Sequence, residues 1–230
     1  MRRETLRALQ GAQESGRAVA LVTPLDGGPQ QVLGLADLGQ DVSTELAQAV
    51  RSALATDRAV LLAEGGVERL VCPRNPPLRL IVVGAVHIAE ALCGLAQTLG
   101  YAVTVIDPRA GFARAGLFPG VTLLNVWPQE AFETVALDAR TAVVLLTHDP
   151  KIDDPALRCV LSSDVFYIAA LGSTRTQARR LERLAAEGYT SPQLARIHGP
   201  AGLAIGARTP AEIALSVLAQ MTQRLREPRS

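Results

Sequence analysis

At 230 residues, with 48% hydrophobic and 20% charged positions, the chain has the composition of a packed globular protein, long enough for a small domain joined to a medium one. A formal net charge of +1 and an aromatic share of 3% give neither the electrostatic footprint nor the stacking surface of a nucleic-acid binder. The three cysteines, odd in number and without a CxxC pair, argue against a disulfide framework or a zinc knuckle and fit a reducing cytosol.

The N-terminal MRRETLRALQGAQESG has basic residues but no apolar core, so no export signal is expected. The spacing of Leu6, Leu9 and Gln13 predicts a helix over 3–15, followed by a strand over 18–22 that Thr23-Pro24 ends. A loop with two glycines and one proline spans 25–31, and 32–36 reads as a second strand. Ser43 or Thr44 caps a helix marked by Leu46, Ala49, Val50, Ala53 and Leu54; residues 60–63 and 68–71 then form a hairpin around Gly65-Gly66. Pro73-Arg74-Asn75-Pro76-Pro77 places three prolines in five residues, which forbids helix or central strand and sets a domain boundary: a small α+β domain over 1–75, a second domain over 76–230.

The second domain opens on LRLIVVGAVHIAEALCGLAQTLGYAVTVID. The run 80–83 is a strand buried on both faces, Gly84 turns the chain, Ile88, Leu92, Leu95 and Leu99 recur at helical spacing, and Val103, Val105 and Ile106 begin a second strand. Its apolar stretch is broken by His87, Glu90 and Gln97, so no membrane span is expected. Strands at 121–125, 142–146 and 165–169 alternate with helices at 129–135, 152–161 and 173–187. Thr209-Pro210-Ala211-Glu212 caps a last helix whose stripe Ala214, Val217, Leu218, Met221 and Leu225 reads as core or as a dimer seam. The fold class is α/β: a Rossmann-like doubly wound parallel sheet, wound 3-2-1-4-5, with the small N-terminal α+β domain ahead of it.

In such a sheet ligands bind beyond the carboxyl ends of the strands where the winding reverses. That rule selects His87 after the first strand and His148-Asp149 after the fourth, two of only three histidines. Gly84-Ala85-Val86-His87-Ile88-Ala89 approximates the dinucleotide fingerprint, and Asp107 lies where a ribose-binding acid belongs, but Val86 replaces the glycine that lets backbone approach a pyrophosphate. NAD(P) is therefore disfavoured. Gly172-Ser173-Thr174-Arg175 offers helix N-terminal amides, hydroxyls and a guanidinium for a phosphate, whereas the arginines from 175 to 183 otherwise read as a solvated helix face. His198 and Gly202 fall in a glycine-rich loop that implies close backbone approach to a ligand or to the sheet. Asp153 and Asp154 are read as helix-start charges, Cys93 as a buried small hydrophobe, and a metal site finds little support.

Several stretches together resemble the xanthine dehydrogenase accessory proteins, the XdhC/CoxI-like family. These are Pro76-Pro77-Leu78-Arg79-Leu80, Gly84-Ala85-x-His87, Asp107-Pro108-Arg109, Thr147-His148-Asp149 with Asp154 and Leu157, the stretch 167–175, and Ile197-His198-Gly199-Pro200-x-Gly202-Leu203 running on to Ala214. The resemblance implies a cofactor-insertion chaperone rather than an enzyme. It would be a cytoplasmic homodimer that binds molybdenum cofactor and delivers it to a xanthine dehydrogenase-type molybdenum hydroxylase, with a cysteine desulfurase as a second partner. The binding residues it implies are Gly84, His87, Asp107, Arg109, His148, Asp149, Gly172, Ser173, Arg175, His198 and Gly202. Val86, Gln177, Ala204 and Gln220 depart from the family pattern, and no counterpart of its N-terminal cysteine motif is found. Two other functions stay open: an NAD(P)-dependent oxidoreductase using the same crevice, and a scaffold that has lost its ligand.

Overall fold

A computed structural model describes residues 2–39, 41–109, 111 and 114–227. The chain forms two compact units, 1–76 and 77–230.

In the first unit α1 (Arg3–Glu14) precedes β1 (Val19–Pro24), β2 (Gln31–Gly34), α2 (Thr44–Thr56), β3 (Val60–Glu64) and β4 (Val67–Arg74). The strands form one antiparallel sheet in the order β2-β1-β4-β3. Helix α2 starts where Ser43 Oγ accepts the Leu46 amide, and its apolar face (Leu46, Ala49, Val50, Ala53) packs on Ala20, Val22 and Val71. Two sequence expectations are corrected here. β2 stops at Gly34, where Asp37 accepts the Gly34 amide at 2.7 Å and a 3-10 turn takes over. β4 runs through Pro73 and Arg74, which pair with Ala20 and Val19 of β1. A proline is tolerated in this inner strand because the β3 register begins at Val60↔Val71; beyond it β4 has only β1 as neighbour, so one side of the strand is free of a ladder.

The second unit contains β5 (Arg79–Val83), α3 (His87–Thr98), β6 (Ala102–Ile106), β7 (Thr122–Leu124), α4 (Pro128–Ala131), β8 (Thr141–Leu145), α5 (Pro150–Leu161), β9 (Tyr167–Ala170), α6 (Thr174–Ala186), α7 (Ser191–Leu194), β10 (Ile197–His198) and α8 (Pro210–Arg226). The parallel sheet has the order β10-β9-β8-β5-β6-β7, which is 3-2-1-4-5-6 counted from β5. The winding reverses between β5 and β8. The sixth strand, absent from the sequence expectation, pairs Ile197 and His198 with Ile168 and Ala169; two residues show no alternation to read. The helix expected over 129–135 is a single turn begun by Pro128.

Alternation along β5 divides the core. Leu80 and Val82 face α3 and α8, meeting Ala89, Leu92, Ala96, Val217 and Met221, whereas Ile81 and Val83 face α5 and α6, meeting Ile152, Leu157, Val160 and Leu184. The α8 stripe is therefore core: Ala214, Val217 and Met221 are fully buried. Thr209 caps α8 as a reciprocal box, Glu212 N donating to Thr209 Oγ1 at 3.2 Å and Thr209 N to Glu212 Oε2 at 2.9 Å. No helix among the described residues is long and apolar enough to cross a membrane.

Candidate functional site

The turn after β5 is held from the end of β6. Asp107 is fully buried, and its Oδ2 accepts from the Ala85 amide at 2.8 Å and from Arg109 Nη2 at 2.7 Å; its Oδ1 accepts from the Arg109 amide and Nε, each at 2.9 Å. Burial works against ionisation of Asp107, but the Arg109 guanidinium and the two backbone amides outweigh it and hold the carboxyl below the usual range. Four donors use the carboxylate's four acceptor positions. No position is left for a ribose hydroxyl, so Asp107 and Arg109 act as a brace for the turn rather than as the ribose site expected from their position.

Gly84 has φ +108°, and a Cβ there would stand 2.6 Å from Thr147 Cγ2. The close approach it permits is to Thr147, two residues beyond the end of β8, not to a pyrophosphate. Thr147 Oγ1 in turn donates to Asp153 Oδ1 at 2.5 Å and accepts the Asp149 amide at 3.2 Å. Asp149 caps α5, its Oδ1 accepting the Lys151 amide at 2.9 Å. Between them His148 adopts φ +60°, a left-handed conformation that places its exposed ring at the carboxyl end of the sheet.

Beyond β9, Gly172 has φ +142° and lies against the Thr176 side chain, while Ser173 Oγ caps α6 by accepting the Thr176 amide at 3.2 Å. Arg175 is exposed. The cationic groups that enclose space lie further along α6. A cavity of about 170 Å³ is lined by His148, Pro150 and Asp153 from one side and by Thr176, Arg179, Arg180 and Arg183 from the other. Arg180 contradicts the expectation of a solvated face: it is 2% exposed, donates to Gln177 Oε1 at 2.7 Å and to the Leu171 carbonyl at 3.1 Å, and approaches Asp153 to 3.5 Å. Arg183 grips Asp154 through Nε and Nη2 at 2.8 and 2.9 Å. Burial raises the pKa of Asp153 despite Thr147, Arg180 and His148, and burial lowers that of Arg180 despite Asp153 and Asp154.

Of the sequence-derived candidates, the structure brings His148 to this cavity, with Asp149 and Ser173 as the caps of the two helices that flank it. His87 begins α3 with its side chain 93% exposed, and Nδ1 lies 3.2 Å from Glu90. His198 is part of β10, its ring stacked on Tyr167 at 5.1 Å between centroids. Gly202 is where a Cβ would strike Ser216 Oγ, and its amide donates to Gln220 Oε1 at 3.0 Å, an acceptor shared with the Tyr167 hydroxyl. Gly202 thus packs on α8, whereas His198 packs on Tyr167 of β9. Cys93 is buried and its thiol is pushed up to about 12 by burial, as befits a small core residue. Sequence reasoning misses Asp153, Thr176 and Arg180 as site residues, although Gln177, Arg180 and Leu184 share one helical face and all three are buried. A larger groove of about 790 Å³ exists in the first unit, but none of its lining residues carries an orphaned buried polar atom. Among the described residues no group of three or more His, Cys, Asp or Glu is placed to hold a metal ion.

A doubly wound six-stranded sheet with its polar cavity at the strands' carboxyl ends defines a Rossmann-type binding domain. Residues 80–221 match the XdhC Rossmann domain model, and the chain belongs to that family. It is 33% identical over 147 residues to the molybdenum cofactor insertion chaperone PaoD of Escherichia coli (strain K12), covering 64% of this chain and 40% of that protein. It is 34% identical over 150 residues to a probable xanthine dehydrogenase subunit of Bacillus subtilis (strain 168), covering 65% and 43%. The chain thus spans less than half the length of these curated relatives. The crystal structure of a xanthine dehydrogenase from Bacillus halodurans shares the fold, with a TM-score of 0.75 at 23% identity over 97% of this chain and 64% of that one.

Proposed function

We propose that this protein is an accessory factor of molybdenum hydroxylase assembly. It takes up molybdenum cofactor at the carboxyl ends of β5, β8 and β9 and passes it to a xanthine dehydrogenase-type apo-hydroxylase. Membership of the XdhC family carries the reading, together with a relative that is named as a molybdenum cofactor insertion chaperone. The cavity beside His148 supports it, because it offers donors and cationic charge for an anionic cargo at the place where such sheets bind ligands. Cofactor here is cargo, bound and released unchanged, and binding rather than turnover is the protein's task.

Within this reading the protein acts in the cytoplasm as a homodimer, with the hydroxylase and a cysteine desulfurase as partners. Light scattering tests the first partner, a second copy, and co-purification tests the other two. A scaffold without cargo is the second reading, favoured by one observation: Asp107 and the Ala85 amide already satisfy each other, and Val86 stands beside them, so the β5 half of the crevice has few free groups. Reactivation separates the two. A carrier loaded with cofactor restores activity to a cofactor-free hydroxylase in proportion to the amount added, whereas a scaffold restores none without a separate cofactor source.

A further inference from the structure

Two buried atoms at the His148 cavity make no hydrogen bond among the described residues: Asp153 Oδ2, which is paired with Arg180 Nη2 by charge alone at 3.5 Å, and Arg180 Nε. Their side chains are 1% and 3% exposed, and both residues line the cavity. One is an acceptor and the other a donor. Buried hydrogen-bonding capacity left unused is costly, so a native protein rarely keeps a donor and an acceptor of this kind side by side without a ligand or water to satisfy them.

The surroundings limit what that ligand is. A cation would face Arg179, Arg180 and Arg183. An anion meets those charges and the first turns of two long helices, α5 at Pro150 and α6 at Thr176, where the helix ends are positive. A fully deprotonated anion has no hydrogen for Asp153 Oδ2, however, and would be repelled by it. A singly protonated phosphate has both: one P–OH to donate and three oxygens to accept. Its second pKa of about 6 keeps part of that proton near neutrality. At about 30 Å³ per water, the cavity holds roughly five waters, which is room for a phosphoryl group.

We propose that this cavity anchors a phosphate monoester as its monoanion, with Asp153 Oδ2 accepting from the P–OH and Arg180 Nε, Arg179 and Thr176 donating to its oxygens. The raised pKa of Asp153 agrees with a proton residing between the two acids. Arg183 is already committed to Asp154 and holds the α5–α6 wall in place. The proposal rests on the carrier reading above for the identity of the ester, which is the phosphate of the carried cofactor; a free nucleotide is the other source of the same chemistry.

Calorimetric titration of the whole 230-residue chain, free of cofactor, with inorganic phosphate and with sulfate near neutral pH tests the site. Sulfate matches phosphate in shape but has no proton to give, so it is expected to bind about tenfold more weakly or worse. Asp153→Asn should abolish the preference, because an amide both donates and accepts. Arg179→Ala, at an exposed position that folding tolerates, should weaken both anions several-fold. Equal affinity for the two anions, or no saturable phosphate binding, overturns the site. Loaded protein should take up no phosphate; if it binds phosphate as well as the empty protein does, the cavity is not where the cofactor's ester sits. Phosphate binding by a protein that never loads with cofactor would leave the cavity as a phosphate site and sink the carrier reading.

Discussion

Asp107 Oδ2 accepts the Ala85 amide at 2.8 Å, so the carboxylate at the end of β6 closes the turn that follows β5. In dinucleotide-binding sheets that acid and that turn are turned outward to ribose and pyrophosphate. Here they are spent on each other. Asp107→Asn places an amide nitrogen against existing donors and should destabilise the domain by about 2–3 kcal/mol in denaturant unfolding. The pKa of Asp107 is lowered in the folded state. Its contribution is therefore present in full above the unfolded value of 3.8 and is lost as pH falls through the lower folded value. Acid titration of the variant should lack that component.

Nicotinamide dinucleotides should show no stoichiometric binding in fluorescence or calorimetric titration. Val86→Gly alone should not restore it, because removing the Val86 side chain leaves the Ala85 amide and the Asp107 oxygens engaged. Tight binding by the Val86→Gly variant would show that the side chain, not the brace, closes the turn.

Gly84→Ala combines a positive φ with a Cβ 2.6 Å from Thr147 Cγ2, and about 2–3 kcal/mol of stability should be lost. Thr147→Ser removes that methyl and keeps the hydroxyl that bonds Asp153. The double variant should recover part of the loss, and a double-mutant cycle measures how much. Strict additivity would mean that the backbone conformation alone accounts for the cost.

His198 and His148 separate packing from function. Burial first, then Arg224, lowers the pKa of His198, so its stabilising effect is complete above the unfolded value of 6.5 and fades as pH drops through the lower folded value. His198→Phe, which can keep the stack on Tyr167, should remove this acid dependence and leave cofactor content unchanged. Loss of cofactor from this variant would bring His198 back among the binding residues.

Much of the architecture is legible in the sequence because its signals are local. The run 80–83, the Gly84 turn and the Thr209-Pro210-Ala211-Glu212 cap each declare their element, and short alternating segments fix the winding. What fails to show is settled by long-range partners. Pro73 is tolerated in β4 only because β3 begins opposite Val71, and β10 exists only because β9 offers an edge. The site follows the same division. Topology selects His148, whereas Arg180 is concealed among three other arginines of α6 and becomes recognisable only when Gln177 and Leu184 on the same face prove to be buried. Asp107 is in the right place for a ribose ligand, but Arg109, two residues away, takes both its oxygens.

The most direct measurement is the molybdenum and pterin content of the full chain purified from a host that makes the cofactor, beside a His148→Asn variant. Asparagine tolerates the left-handed backbone at 148, so the variant keeps its fold while losing the imidazole. A carrier retains both components in near-stoichiometric amounts, and the variant retains markedly less. Wild-type protein that purifies empty, or a variant loaded as fully as wild type, would contradict a cofactor site beside His148.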